Sequence, residues 1–241
     1  MSSWKNVAKW YDTIVSKEGH YYHQHVVIPG ALKLLQLDAS SSLLDLACGQ
    51  GILARHVPCN YLGIDGAEGL ITAAKKHSKH RFLVHDLTEP LELNETFSHA
   101  AIILALQNIF PQDTVIDIAH RHLKPGGSLV IVINHPCFRI PRQTHWGVDE
   151  AKKLQYRRVD RYLCPMKIPI LVNPGQPDSE KTWSYHSSLT DLSRLFLKGG
   201  FHIAQIEEWV SDKTSTGTKA KMENFARNEF PLFLAFRLVK I

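Results

Sequence analysis

The sequence predicts an α/β protein built around a mostly parallel sheet, and three observations support this prediction. Short β-branched runs alternate with helical patterns through the middle of the chain, which is typical of βαβ units. The runs are apolar nearly throughout, as expected for strands that are buried on both faces. A turn with two glycines follows the first run and precedes a helical pattern, which is the context of a nucleotide-binding loop.

The middle of the chain contains five candidate strands and three candidate helices. The predicted strands cover residues 42–47, 61–65, 81–85, 99–104 and 128–134. The predicted helices cover residues 52–56, 67–76 and 113–123. The last of them ends before Lys124-Pro125-Gly126-Gly127, a combination that predicts a helix stop followed by a turn.

The end of the chain repeats the pattern once more. Ser188 opens a predicted helix that runs to Lys198 and closes at two glycines. Predicted strands follow at 201–210 and 232–239, joined by a polar loop over 211–228. The sheet is therefore expected to have seven strands.

Two segments fall outside this regular alternation. Residues 1–38 have a helical pattern rich in tyrosine, tryptophan and histidine, and we expect an N-terminal helical cap there. Residues 136–187 form a long connection rich in proline and arginine. Connections of that length inside a compact domain usually have a function. This one starts at a strand end, so we expect it to project over the carboxyl ends of the strands, where open α/β sheets bind ligands.

Composition narrows the class of protein. The first residues lack the apolar core of a signal peptide, and no apolar run approaches the roughly 20 residues that span a bilayer. Four scattered cysteines without a CxxC pair predict reduced thiols and no metal site. We therefore expect a cytoplasmic protein without a membrane partner. The formal net charge of +5 is a mild excess, so a nucleic-acid partner is possible but not favoured.

The glycine turn, Asp45-Leu46-Ala47-Cys48-Gly49-Gln50-Gly51, fits two kinds of nucleotide site. Gly49-x-Gly51-x-x-Ala54 formally matches a dinucleotide fingerprint, which predicts an NAD-dependent oxidoreductase. A carboxylate at Asp45 is awkward beside a pyrophosphate, however, and suits a cationic amino-acid group such as the methionine ammonium of S-adenosylmethionine. The second kind of site is therefore favoured.

Two more carboxylates end the next two predicted strands. Asp65 is placed to accept hydrogen bonds from both ribose hydroxyls, and Asp86 to accept one from the adenine amino group, with Leu87 or Ile64 against the ring. Each aspartate alone has a local alternative, because strand-end aspartates often cap helices or form turns. Three of them in register with a double-glycine turn favour the ligand site.

These motifs together resemble those of the class I S-adenosylmethionine-dependent methyltransferases, of the small-molecule, type 11 kind that includes quinone-biosynthesis enzymes. The resemblance rests on residues 43–51, 63–65, 85–87, 105–109 and 123–127 and covers about residues 40–135. The resemblance implies a Rossmann-like seven-stranded sheet of order 3-2-1-4-5-7-6, in which strand 7 is antiparallel and helices cover both faces. It also implies a methyltransferase domain over residues 39–241. This sequence departs from the family pattern at Gly66, where many relatives have serine. The implied contacts to S-adenosylmethionine, which leaves as S-adenosylhomocysteine, are Asp45, Ala47, Gly49, Gly51, Asp65, Gly66, Asp86, Leu87 and Leu104.

Methyl transfer from a sulfonium needs positioning above all, and a general base only where the acceptor atom carries a proton. His135 directly follows the fifth predicted strand and is the candidate base, since histidine titrates near neutrality. The alternative is that it hydrogen-bonds the backbone and fixes the start of the loop. Both interpretations stay open at this level.

Aromatic and basic residues outside the sheet are candidates for an acceptor pocket. The set comprises Tyr11, Tyr22, Arg139, Trp183, Tyr185 and His186. The leading hypothesis is a methyltransferase acting on a small-molecule acceptor by in-line displacement. One alternative is an RNA or protein methyltransferase that uses the basic residues of 139–161, and another is a non-catalytic cofactor-binding protein on the same fold.

Overall fold

A computed structural model describes residues 20–171 and 181–241 and contains eleven strands in that part of the chain. Seven of the strands form one sheet, in the order β3-β2-β1-β4-β5-β11-β10. This confirms the predicted order, and the last strand, β11, lies antiparallel between β5 and β10. The strands are β1 Ser42–Leu46, β2 Asn60–Asp65, β3 Arg81–Val84, β4 Phe97–Ile103, β5 Leu123–Asn134, β6 Thr144–Asp149, β7 Leu154–Val159, β8 Met166–Leu171, β9 Lys181–His186, β10 Phe201–Trp209 and β11 Phe233–Lys240.

Helices cover both faces of the sheet. A π-helical turn at His23–Val27 leads into α1 (Ile28–Leu35), which packs on the same face as Leu43 and Val132. The helices α3 (Gln112–His122) and α4 (Leu189–Lys198) pack on the other face, with Ile116 and Phe196 in the core. The remaining helices are α2 Glu68–His77 and α5 Ala220–Glu229.

Local sequence explains where α4 begins and ends. The Ser188 hydroxyl accepts a hydrogen bond from the Asp191 backbone N–H at 3.2 Å, and the Asp191 carboxylate accepts one from the Ser188 N–H at 3.1 Å. This reciprocal pair satisfies two N–H groups that the first turn would otherwise leave free. Gly199 follows as the C-cap, as the sequence predicts.

Three predicted elements differ in the structure. The helix predicted at 52–56 is a single 3₁₀ turn, Leu53–His56, before the chain extends at Val57. The turn predicted at 124–127 lies inside β5, as an irregularity in its pairing with β4 between Phe97 and His99. The loop predicted at 211–228 contains α5, which buries Ala226 and is tied back to Ser215 by Asn224. Local polarity suggested a loop there, but tertiary contacts support a helix.

The described part of the connection at 136–187 contains two antiparallel strand pairs, the hairpins β6–β7 and β8–β9, where the sequence showed no regular pattern. Trp146 of the first hairpin packs edge-on against Phe230, which follows α5. The second hairpin packs against the 3₁₀ turn Leu106–Asn108 that follows β4. The insertion therefore reaches the carboxyl ends of the central strands.

Part of the predicted N-terminal cap, including Tyr11, lies outside the described residues. Within residues 20–38, the helical prediction holds for the π-helical turn and α1. In the part of the chain that the structure describes, no helix is both long and apolar enough to cross a membrane.

Candidate functional site

A cavity of about 670 Å³ lies at the carboxyl ends of the central strands and falls within the range of about 300–1,000 Å³ of small-molecule sites. One side of it consists of the strand ends, and the opposite side is the β8–β9 hairpin. Seven of the nine predicted cofactor residues line the cavity, namely Ala47, Gly49, Asp65, Gly66, Asp86, Leu87 and Leu104.

The glycine turn owes its shape to two glycines with different surroundings. Both have positive φ, +56° at Gly49 and +72° at Gly51. A Cβ on Gly49 would meet nothing within 4 Å, whereas one on Gly51 would lie 3.1 Å from the Phe82 ring and 3.2 Å from the Ala74 Cβ. Gly49 therefore leaves the cavity side of the turn open, and Gly51 lets the turn pack on β3 and α2. This explains why Gly49 lines the cavity and Gly51 does not.

Asp65 connects the end of β2 to the turn. One carboxylate oxygen accepts a hydrogen bond from the Gly49 N–H at 2.9 Å, and the other accepts one from the Ala67 N–H at 2.8 Å. Burial raises the pKa of Asp65, and these two backbone hydrogen bonds oppose the rise. Each oxygen retains acceptor capacity, so the carboxylate can hold the turn and still accept hydrogen bonds from a ligand in the cavity.

Asp45 lies beneath the turn, and its side chain is not among the described groups that line the cavity. The residue is 2% exposed, and its carboxylate accepts a hydrogen bond from the Tyr61 hydroxyl at 2.6 Å. Burial raises the pKa of Asp45 to about 7, although the Tyr61 hydrogen bond opposes the rise. This position differs from the expectation that Asp45 faces the ligand directly.

Asp86 is a turn residue and a cavity residue at the same time. One of its oxygens accepts hydrogen bonds from the Thr88 N–H at 3.1 Å and the Thr88 hydroxyl at 2.8 Å. Partial burial raises the pKa of Asp86, but the two Thr88 hydrogen bonds and nearby positive charge, including His85, together outweigh it, and the pKa is lowered. The local and ligand-binding interpretations of Asp86 are thus compatible, because its second oxygen has no partner among the described residues.

His135 occupies a different place from the one expected of a general base. It is 2% exposed, and its Nε2 lies 2.8 Å from a carboxylate oxygen of Glu208. Its Nδ1 accepts hydrogen bonds from the backbone N–H groups of Cys137 and Phe138, at 3.2 and 3.3 Å. Burial lowers the pKa of His135, and Glu208 opposes this. Both ring nitrogens are engaged outside the cavity, so the geometry favours a role in fixing the start of the insertion.

The predicted acceptor residues separate into two groups. Trp183 and Tyr185 line the cavity from β9, and Tyr185 stacks on Phe110 with ring centroids 4.9 Å apart. Arg139 and His186 instead line a narrow cleft of about 40 Å³, which shares Tyr185 with the main cavity. The His186 Nε2 lies 2.7 Å from the Tyr162 carbonyl oxygen.

Tyr22 lines neither space, because its hydroxyl lies 3.0 Å from the Ser211 hydroxyl and its ring packs on Phe233. The guanidinium of Arg139 packs over the same Phe233 ring, 5.3 Å from its centroid. Tyr22 and Arg139 thus meet on one ring at the edge of the site.

The polar cavity residues that were missed at the sequence level include His23 and Lys167. His23, in the π-helical turn, has a buried Nδ1 without a hydrogen-bond partner among the described residues, and burial lowers its pKa to about 4. Lys167 lies on β8 directly across from Tyr185. The alternation of Lys167-Ile168-Pro169-Ile170 was the available signal for a strand there, and π-helical turns often mark functional sites.

Comparison with known proteins identifies the kind of domain that carries this cavity. Residues 44–131 match the family model described as a methyltransferase domain. This match agrees with the resemblance of the sequence to the class I S-adenosylmethionine-dependent methyltransferases. The matched segment runs from β1 to β5, so it contains the glycine turn and all the strand-end carboxylates of this methyltransferase domain.

Two curated relatives and one solved structure show how far the similarity extends. A dTDP-3-amino-3,6-dideoxy-alpha-D-glucopyranose N,N-dimethyltransferase from Streptomyces fradiae is 24% identical over 132 residues, which are 52% of each chain, so the match spans about half of that relative. A demethylmenaquinone methyltransferase from Oceanobacillus iheyensis is 22% identical over 74% of this chain and 77% of its own. An S-adenosylmethionine-dependent methyltransferase from Mesorhizobium loti shares the fold, with a TM-score of 0.68, 22% identity and coverage of 88% and 96%.

The residues present fit the cofactor of this family. Gly49 leaves a cradle in the backbone that a Cβ would fill, and the cavity above it is large enough for a nucleoside with an amino-acid tail. Carboxylates stand at its edge at Asp65 and Asp86, where hydroxyl and amino donors of a nucleoside find acceptors.

Proposed function

We propose that this protein transfers a methyl group from S-adenosylmethionine to a small-molecule acceptor enclosed by the 136–187 insertion. The observation that carries the proposal is that predicted cofactor residues and predicted acceptor residues line the same cavity. The strand ends contribute seven predicted cofactor residues, and β9 contributes Trp183 and Tyr185 on the other side. A donor and an acceptor bound in this cavity are within reach of each other.

The cofactor is held, in this proposal, by the strand ends in chain order. Asp65 accepts the ribose hydroxyls, and Asp86 and Leu87 receive the adenine. The amino-acid tail lies along Ala47 and Gly49, where the backbone is open. Asp45 and Gly51 act from beneath, through charge and packing respectively.

Bound S-adenosylmethionine supplies an electrophilic methyl group on a sulfonium, with S-adenosylhomocysteine as the leaving group. The contribution of the protein is to orient the acceptor and to exclude water, which supports in-line displacement without covalent chemistry by a side chain. The hairpin β8–β9 closes one side of the cavity for this purpose. His23 is neutral at pH 7 because burial lowers its pKa to about 4, so its ring can hydrogen-bond an acceptor without repelling the sulfonium.

A small acceptor is supported by the relatives and by the enclosure of the site. The names of the two curated relatives specify a nucleotide-linked amino sugar and a quinone, both small molecules. In the described part of the insertion, the first hairpin packs on α5 and the residue after it, and the second packs on the turn after β4. We therefore assign residues 136–187 as a substrate cap on a methyltransferase domain of residues 39–241, with residues 1–38 as a helical cap. Four free cysteines agree with a cytoplasmic setting.

The alternative, methylation of RNA or protein, draws on the basic residues of the first hairpin. Several of these have internal partners: Arg157 donates hydrogen bonds to the Phe138 carbonyl and the Thr144 hydroxyl, at 2.9 and 2.8 Å. Arg158 pairs with Asp160 at 3.1 Å. A basic surface for a polymer needs free, adjacent cations, so this hairpin supports the alternative weakly.

The test is formation of S-adenosylhomocysteine by the purified chain with a panel of small phenols, aromatic acids and amines, and with bulk RNA. We expect turnover with at least one small acceptor and none above background with RNA. Turnover with RNA alone, falling steeply between low and high salt, would establish the alternative. Binding of the cofactor without turnover on any acceptor would favour a non-catalytic role.

A further inference from the structure

The β8–β9 hairpin presents one chemically mixed face to the cavity. Lys167 pairs across the hairpin with Tyr185, and Pro169 pairs with Trp183. Because directly paired residues, and every second residue along a strand, share a face, these four side chains lie together. The Lys167 ammonium is 4.3 Å from the centroid of the Trp183 ring and 5.9 Å from that of Tyr185.

The ammonium of Lys167 has no carboxylate within 4.0 Å among residues 20–171 and 181–241. The two carboxylates that line the cavity, Asp65 and Asp86, are hydrogen-bonded to their own turns. The described part of the chain thus offers a cation at the cavity wall without an anion to match it. Contact with two aromatic rings stabilises that cation and limits the positions it occupies.

The aromatic part of the same wall is flat and partly open. Tyr185 is stacked on Phe110 with an angle of 17° between the rings, and Phe110 is 64% exposed. Trp183 stands beside them and also lines the cavity. Exposed stacked rings of this kind offer a platform for another planar group, because stacking buries apolar area on both partners.

We propose that the methyl acceptor is a planar molecule with an anionic group, such as an aromatic carboxylate. Its ring lies against the aromatic platform of Trp183, Tyr185 and Phe110, and its anion pairs with Lys167. Lys167 is then a specificity residue that discriminates charged acceptors from neutral ones. This inference rests on the proposed function, since it describes the acceptor half of the same cavity.

The experiment measures binding of three probes to the full chain saturated with S-adenosylhomocysteine, by ligand-observed NMR titration. The probes are 4-hydroxybenzoate, which is planar and anionic, 4-hydroxybenzyl alcohol, which is planar and neutral, and cyclohexanecarboxylate, which is anionic and not planar. We expect 4-hydroxybenzoate to bind at least about tenfold more tightly than either of the others. In K167M, its affinity falls to about that of the alcohol, whereas K167R keeps it within about threefold.

Lys181 offers a matched control, because it lies on the same hairpin, is exposed and does not line the cavity. K181M should leave the affinities of all three probes unchanged. Equal binding of the acid and the alcohol to the wild-type chain would overturn the proposal, as would retention of wild-type affinity for 4-hydroxybenzoate in K167M. Equal binding of the two acids would show that the aromatic wall does not select a planar acceptor.

A titration of S-adenosylhomocysteine into the same proteins distinguishes failure of the acceptor inference from failure of the proposed function. If it binds the wild-type chain and K167M equally and the probe pattern fails, the acceptor inference is wrong and the methyltransferase proposal stands. If it does not bind the wild-type chain, the proposed function and the inference fail together.

Discussion

The two sides of the cavity are built in different ways. The side formed by the strand ends depends on the turns of the main sheet: the glycine turn at Gly49, the positive-φ residues Ala47 and Leu104, and the carboxylates of Asp65 and Asp86, which accept hydrogen bonds from nearby N–H groups. The hairpin side is made of side chains on a separate two-stranded sheet, and the main sheet does not include these strands. The first side is fixed by the fold of the domain, and the second can change with a few substitutions in one hairpin.

This difference indicates which residues determine cofactor binding and which determine the choice of acceptor. A cofactor site made of turns and strand ends depends on positions where the backbone itself is special, such as Ala47 and Leu104, which have φ of +61° and +55°. Such conformations persist only when the surrounding structure holds them, here the hydrogen-bonded ends of β1 and β4. Substitutions on the sheet side are therefore expected to affect cofactor binding and folding, and substitutions in the hairpin to affect the acceptor alone.

The largest effect is expected from D65A. The variant removes the acceptor of the Gly49 and Ala67 N–H groups together with the proposed ribose acceptor. With about 1.5–3 kcal/mol for each hydrogen bond to a charged group, affinity for S-adenosylhomocysteine should fall by about 100-fold or more in calorimetry. D38A removes an aspartate from a turn distant from the cavity and serves as the control. Unchanged affinity in D65A would place the ribose elsewhere.

The two glycines of the turn should separate stability from binding. Alanine at either position would have a strained, positive φ. Only G51A also forces a Cβ against Phe82 and Ala74. We expect G51A to lower the free energy of unfolding by about 2–4 kcal/mol and G49A by about 1 kcal/mol in urea titrations. G49A should instead weaken cofactor binding about tenfold or more, because its methyl enters the cavity side. The reverse pattern would mean that the cofactor does not follow the open side of the turn.

Asp45 gives a pH-dependent prediction. Its pKa is raised to about 7 in the fold, so between about pH 4 and pH 7 the folded state binds more protons than the unfolded state. Its contribution to stability therefore falls as the pH rises through that window. The stability of D45N, which resembles the protonated form, should therefore rise relative to wild type by about 2–4 kcal/mol between pH 4 and pH 8, in denaturant titrations. An equal difference at both pH values would contradict a buried, easily protonated Asp45.

The smallest effect is expected at Glu208, the partner of His135. The Glu208 side chain is 56% exposed, so E208Q should change stability by less than about 1 kcal/mol. Turnover and its pH profile should remain as in wild type, because the His135 ring does not line the cavity. A loss of turnover of about 100-fold, with a shifted pH profile, would instead identify the pair as part of the catalytic machinery.

Much of the sheet side followed from the sequence, because its determinants are local. Apolar runs, the glycine turn and the strand-end aspartates each predicted a position in the fold, and the strand order was confirmed. The position of Asp45 at the end of β1 was predicted, but the direction of its side chain was not. The hydrogen bond from the Tyr61 hydroxyl shows that the carboxylate is turned inward. The direction of a strand-end side chain depends on such tertiary neighbours.

The hairpin side was harder to predict because its determinants are cross-strand pairs. Trp183 and Tyr185 were identified by residue type alone, whereas Lys167 becomes a cavity residue only once the register of β8 and β9 is known. The helix α5 was missed for a similar reason: its sequence is polar, and Phe230 and Trp146 show how it meets the insertion. Long-range pairing decides these features.

The central claim is that the strand-end cavity binds S-adenosylmethionine, and one titration tests it most directly. S-adenosylhomocysteine is titrated into the purified wild-type chain in a calorimeter, with and without excess NAD⁺. The proposed site predicts one molecule bound per chain with a dissociation constant in the micromolar range, about −8 kcal/mol, and no competition from NAD⁺. Absence of binding, or displacement by NAD⁺, would contradict it and return the glycine turn to the dinucleotide interpretation.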